Sequence, residues 1–413
     1  MSNVVIQLPF QEACYRLNGE ELFVGHEEAI LFASLGEEAT LPIKLRSLSP
    51  GLTKLSADRI WERGEDEETQ LSLLRLAERF RAPYQPNKIK SRLLKKREHS
   101  PLPTLFTSMR GVLKEGIESF LKKKRGVLEI GCGNGSFLTS LLKKGENAVG
   151  LEISNRCLKK SAFRLKEAGF TLTNRFLVKA DGVAFLKWLI PQDHLRSVYL
   201  LFPDPWDGNI QRRIVTPYFL ESVRERLVIG GTLFMATDHP GYANQMRQSI
   251  EKTPGVELVE WNEPLNTKYH EKWKREGRNF YRFAIKTTQH FGSPEDTETA
   301  LQLEWETDFD IWPFATPTVV SISDGHFVVE KTYRRGEETL LRTVLNPSIG
   351  MAFKQFLLVK GRRLHLKPTW HEVVTPPLVT AVEQLKSGQT TPLAGDTPAQ
   401  LQTKGKEGQR EPY

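Results

Sequence analysis

Cysteine is scarce. Cys14, Cys132 and Cys157 are the three in 413 residues, an odd number without paired metal-ligand spacing, which argues against a disulfide framework and against a zinc site. Reduced thiols are expected. None of the nine histidines falls in an H-x-x-x-H or H-E-x-x-H spacing, so His239 and His270 read as loop residues and no metal is expected. Nowhere do eighteen apolar residues pass without a charge, and the opening MSNVVIQLPF lacks a basic region followed by an apolar run. Neither a membrane span nor a signal peptide is expected, which points to the cytoplasm. What is present is a globular composition, 39% hydrophobic and 26% charged with 22 Phe and 8 Trp, which excludes wholesale disorder.

Positive charge exceeds negative by eight, and it is clustered. Lys88 to Arg97 holds six basic residues and no acid, and Lys122-Lys123-Lys124-Arg125 follows. Lys268 to Arg282 sets six basic residues against two glutamates, interleaved with Tyr269, Trp273, Phe280 and Tyr281. Lysine and arginine beside aromatic rings form the electrostatic and stacking footprint of an RNA contact, against the plainer reading of a solvated helix face.

Five regions follow from changes of pattern. Residues 1–85 carry short strand-like runs (VVIQL, ELFVG, AILFASL) and read as a small N-terminal module of unknown role. Residues 86–125 form a basic linker or helical segment. Residues 126–287 alternate near-continuous apolar strands (GVLEIG, AVGLEI, RFLVKAD, SVYLLFP, GTLFMATD) with amphipathic helices, the pattern of a mostly parallel sheet covered on both faces. Residues 288–386 are again strand-like and read as a β-rich C-terminal domain, and 387–413 lack periodicity, as a disordered tail would.

The chemistry gathers at the expected strand ends. The first strand of the central region runs into Glu129-Ile130-Gly131-Cys132-Gly133-Asn134-Gly135, where Gly131, Gly133 and Gly135 let the chain turn sharply and a cofactor approach the backbone. A nicotinamide dehydrogenase normally shows G-x-G-x-x-G, whereas the third glycine here gives G-x-G-x-G. Glu152 closes the next strand, where an acid can accept both hydroxyls of a ribose, and Asp181 ends the third, placed to meet an adenine amino group. Three acids around one cleft suit a nucleoside that carries positive charge, such as S-adenosylmethionine, and would repel a pyrophosphate. The fourth strand leads into Phe202-Pro203-Asp204-Pro205-Trp206, in which prolines fix an aspartate at the sheet edge, and Arg212-Arg213 follow. Trp206 is as well suited to core packing as to stacking on a base.

Residues 126–287 resemble the tRNA (guanine-N7-)-methyltransferase family. The resemblance rests on EIGCGNG, on GLEI, on the PDPW loop with its RRIVTP continuation, on ATDHPGYANQM, and on TKYHEKWKREG followed by FYR, all in the family's order. It implies a Rossmann-like class I methyltransferase fold, α/β, here with the N-terminal module and the β-rich C-terminal extension. It implies S-adenosylmethionine as cofactor, held by Glu129, Gly131, Gly133, Gly135, Glu152, Asp181 and Asp204, with Asp204 the catalytic acid. It further implies tRNA as partner, with Asp238, Thr267, Lys268, Tyr269, His270, Arg212 and Arg213 on the substrate side, and guanine 46 of the variable region as acceptor. The chain departs from the family at Asp207-Gly208-Asn209-Ile210-Gln211, where many members carry His-Lys, and at His270, where the family often has Glu. The alternatives are a dehydrogenase, a non-catalytic RNA-binding protein, and a methyltransferase for another RNA base or RNA class.

Overall fold

The computed structural model describes residues 2–34, 40–58, 67–89, 105–261, 280–292, 301–309, 316–323, 325–347, 352–367 and 373–388. Two compact units partition the chain. One is essentially residues 104–303, and the other is assembled from the segments on either side of it.

The central unit begins with β1 (Thr107–Ser108) and α1 (Met109–Glu115), so its sheet recruits residues from the segment expected as a basic linker. Then β2 (Gly126–Ile130), α2 (Ser136–Lys143), β3 (Asn147–Glu152), α3 (Asn155–Glu167), β4 (Leu177–Lys179) and α4 (Gly182–Leu189) alternate strictly. They are followed by β5 (Leu195–Leu201), α5 (Pro217–Arg226), β6 (Leu227–Thr237), α6 (Pro240–Glu251), β7 (Val256–Val259) and β8 (Tyr281–Thr287). The strands lie in the order β7-β8-β6-β5-β2-β3-β4-β1. All neighbours are parallel except β8, which runs antiparallel to both β6 and β7. This is the doubly wound α/β sheet that the strand-helix alternation predicts. All five residues of β2 are buried, as a central parallel strand covered on both faces must be. Helix starts are set chemically: Ser154 accepts from the Cys157 N–H, Asp181 from Ala184 and Thr216 from Phe219, each satisfying a donor with no partner inside the helix. Order reverses at β2, which lies between β3 and β5, so a crevice opens outside the carboxyl ends of these strands.

The flanking unit is one antiparallel sheet built from both ends of the chain. Strands Leu22–Val24, Glu28–Ser34, Thr40–Ser49, Leu52–Ala57, Asn3–Ile6 and Tyr84–Asn87 continue, through the pairing of Val24 with Arg334, into strands from the C-terminal half. Those are Gly325–Arg335, Glu338–Pro347, Phe353–Lys360, Arg363–Lys367 and Glu306–Asp308. The regions 1–85 and 288–386, read from sequence as separate bodies, therefore share a sheet. The physical reason is a common core: Phe23, Ile30 and Phe32 from one end pack with Tyr333, Leu340 and Phe356 from the other. Beside it Glu28, 7% exposed, accepts from Tyr333 Oη (2.6 Å) and Lys331 Nζ (2.8 Å), while Arg342 donates to the buried Asp58 (3.2 Å). Among the described residues no helix is long and apolar enough to cross a membrane.

Candidate active site

Because β2 to β6 are parallel, their carboxyl ends share one edge of the sheet. That edge carries Glu129 with Gly131, Gly133 and Gly135, then Glu152, Asp181, the Phe202–Trp206 loop, and Asp238. The residues singled out on five separate strands are thus gathered where ligands of open α/β sheets bind.

The glycine loop needs its glycines. Gly131, Gly133 and Gly135 all have positive φ (73°, 55° and 73°), which a side chain strains. A Cβ on Gly135 would sit 2.9 Å from Ser161 Cβ, whereas one on Gly131 would meet nothing within 4 Å. The loop is therefore packed behind and open in front. Ser161 Oγ donates to the Gly133 carbonyl (2.8 Å), tying the loop to α3.

The two glutamates differ in environment. Glu152 accepts from the Gly133 N–H through Oε2 (3.1 Å) and from the Ser154 N–H through Oε1 (2.8 Å), bonds that hold its carboxylate at the mouth of the loop. Burial nevertheless pushes its pKa above the usual range, and Asp204 nearby pushes in the same direction. Asp204 thus lies within electrostatic reach of Glu152. Glu129 is only 4% exposed, its Oε2 lacks any hydrogen-bond partner, and burial with the neighbouring Glu152 raises its pKa to about 8. A desolvated carboxyl with an unmet oxygen is costly unless a cation or donor arrives. An open glycine cradle, an acid held by backbone donors and a buried acid short of a partner fit S-adenosylmethionine, whose ammonium, sulfonium and ribose hydroxyls answer them in kind. When bound, that donor supplies an activated methyl group on a positively charged sulfur.

Asp181 caps α4 by accepting from the Ala184 N–H (3.0 Å), so part of its hydrogen-bonding capacity is structural. The Asp204 loop is bracketed by two non-glycine residues in the left-handed region, Phe202 (φ 55°) and Trp206 (φ 47°), a conformation that persists only when its surroundings enforce it. Arg213 does so. It is 7% exposed, and its Nε donates to the Pro205 carbonyl (2.5 Å), Nη1 to Gln245 (3.0 Å) and Nη2 to Asp207 (3.3 Å), with the guanidinium 4.9 Å from the Tyr242 ring centre. Arg213, expected on the RNA side from its place in RRIVTP, is instead an internal strut of the loop. Arg212 stacks over Trp206 at 3.9 Å. Asp207 also meets His239 Nε2 (3.0 Å), while His239 Nδ1 accepts from the Tyr242 N–H (3.0 Å). The Asp204 loop is thereby latched to the turn that carries Asp238, which is half-buried. Sequence reasoning missed Ser161, Asp207, Tyr242 and Gln245 in these supporting roles. Thr267, Lys268, Tyr269 and His270 lie outside the described residues.

Residues 123–283 match the family model described as "Putative methyltransferase". This segment is a methyltransferase domain. Relatives of the chain are named tRNA (guanine-N(7)-)-methyltransferase in Thermotoga maritima (29% identical, covering 59% of this chain and 82% of that protein), Aeromonas hydrophila (36%, covering 32% and 56%) and Thermus thermophilus (34%, covering 38% and 53%). The chain thus spans about half the length of the latter two and four-fifths of the first. The resemblance read from the EIGCGNG, PDPW and ATDHPGYANQM motifs is borne out. The methyltransferase domain holds every described residue discussed at the site, and the sheet built from the two ends of the chain contributes none of them.

Proposed function

We propose that the protein transfers the methyl group of S-adenosylmethionine to N7 of a guanine in tRNA, at position 46 of the variable region. The observation that carries this reading is the placement of Asp204. An aspartate on a clasped, strained loop lies at the same edge of the sheet as the two glutamates suited to the donor. The names of the Thermotoga, Aeromonas and Thermus relatives support the choice of acceptor.

The chemistry asks little of a base. Guanine N7 offers a free lone pair and has no proton to lose, so attack on the methyl carbon requires alignment of nitrogen, carbon and sulfur rather than deprotonation. The reaction moves positive charge from sulfur to the purine ring. Asp204, fixed beside the ring, stabilises that arriving charge, and Asp238 orients the base through its Watson–Crick edge. Incubating the protein with an unmodified tRNA transcript and labelled methyl donor, then cleaving chemically at 7-methylguanosine, tests the assignment. A single cut at guanine 46 is expected. Label at another base, or none, would reject it.

A further inference from the structure

Helix α3 leaves Glu152 directly and is fastened to the glycine loop by Ser161 and by Arg164, whose Nε donates to the Asn134 carbonyl (3.1 Å). Leu158, Ser161, Ala162 and Leu165 form its buried stripe. With 3.6 residues per turn, the opposite arc carries, in angular order, Lys166, Lys159, Phe163, Arg156, Glu167, Lys160 and Arg164. Cations thus flank a phenylalanine that is 60% exposed, and Glu167 is the helix's one acid.

This face lacks the ion pairs that several other cations of the domain make. Lys124 pairs with Asp193, Arg175 with Glu115 and Arg196 with Glu146. Among the described residues, Arg156, Lys159, Lys160 and Lys166 meet no carboxylate. The arrangement also works against the helix itself. Arg156 and Lys160, and Lys160 and Arg164, are like charges four residues apart, and Arg156 lies in a first turn that has no acid to complement the helix dipole. Local stability alone would favour the opposite signs. An anionic partner that covers the face removes the conflict, and the exposed ring gives it a surface to stack on.

We propose that this outer face of α3 docks the sugar-phosphate backbone of the substrate RNA, with the cations on phosphates and Phe163 against a ribose or an unstacked base. The inference rests on the reading of the chain as a tRNA methyltransferase and adds to it a contact surface that begins at the cofactor loop. An acidic protein or an anionic membrane would be the competing occupants. RNA is favoured because the helix starts beside Glu152, at the edge where the acceptor base must arrive, and because an aromatic ring among cations suits a polyanion that carries stackable bases.

The test uses the full-length chain and an unmodified tRNA transcript. The double variant Arg156→Glu/Lys160→Glu should weaken tRNA binding at least about tenfold near 0.15 M salt and flatten the dependence of log K on log salt by about one to two. Binding of S-adenosylmethionine should be unchanged, and Tm should hold or rise, since two like-charge contacts are relieved. Phe163→Ala should weaken binding severalfold with the salt slope intact, because stacking releases no counterions. Unchanged tRNA affinity and slope in the double variant would overturn the proposal. So would a variant that keeps tRNA binding but loses capture on phosphatidylserine vesicles, which would assign the face to a membrane. If charge reversal lowers Tm, the neutral pair Arg156→Gln/Lys160→Gln is read by the same criteria. A wild-type protein that fails to bind tRNA at all contradicts the functional reading first, an outcome distinct from the variants' indifference.

Discussion

At the scale of single residues, the decisive feature is a carboxyl kept short of a partner. Glu129 is buried on a central strand, with one oxygen unbonded and a pKa raised to about 8. Below that pH the ligand-free protein holds it protonated. A cationic ligand binds its ionised form, so binding expels the proton. Cofactor titration near pH 7 should therefore release close to one proton, read by calorimetry in buffers of different ionisation heat, and Glu129→Gln should abolish the release. The same shift acts on folding. Between pH 4.5 and about 8 the folded state binds more protons here than the unfolded chain, so this group lowers stability as pH rises across that window, by about 3 kcal/mol at neutrality. Glu129→Gln should thus raise the Tm of the free protein at pH 7 while weakening its hold on the cofactor. The acid itself is legible in the sequence, because a strand followed by G-x-G-x-G leaves its neighbourhood little choice. Its missing partner is not legible, since that depends on what other segments fail to bring near it.

At the scale of elements, the Phe202–Trp206 loop shows what a motif conceals. PDPW is visible as text, and prolines either side of an aspartate announce a fixed carboxylate. The fixing, however, comes from Arg213, eight residues beyond Pro205, and from Gln245, 32 residues further on. No spacing rule links those positions, and RR after a catalytic loop reads naturally as an RNA contact. Arg213→Lys should expose the difference. Lysine keeps the charge but cannot donate at once to Pro205, Asp207 and Gln245 with the fork geometry of a guanidinium. Turnover is expected to fall about 10- to 100-fold, with the KM for tRNA nearly unchanged. A raised KM with normal turnover would return Arg213 to the RNA surface. The helix starts at Ser154 and Thr216 are local by contrast, because hydroxyl caps act over three residues and need nothing distant.

At the scale of the molecule, the surprise is the sheet shared by both ends of the chain. Alternating strands were evident in each segment, yet nothing in either one specifies that Tyr333 will meet Glu28, 305 residues away. Non-local pairing of this kind is settled by which apolar surfaces remain to be buried, and Phe23 and Phe356 answer each other only after both segments have formed. The joint has a pH signature. Bonds from Lys331 and Tyr333 hold the Glu28 pKa at about 2, against 4.5 when unpaired. Its contribution of about 3 kcal/mol is present above pH 4.5 and is lost as pH falls towards 2. Acid unfolding of the shared sheet, followed by far-UV circular dichroism, should therefore begin at higher pH in Glu28→Gln than in the wild type. A coincident acid transition would remove Glu28 from the account. For the same reason, truncation before Glu304 should not leave the N-terminal strands intact, since it strips them of half their sheet.

The claim that organises these observations is that acidic groups on separate strands first receive a cationic methyl donor and then the base that takes over its charge. Asp204→Asn tests it most directly, because the substitution keeps the shape and removes the charge. Single-turnover methyl transfer to tRNA is expected to slow by roughly 100-fold or more, while the Kd of S-adenosylmethionine changes less than about threefold. Methyl transfer at the wild-type rate, or a loss of cofactor binding as large as the loss of rate, would contradict it.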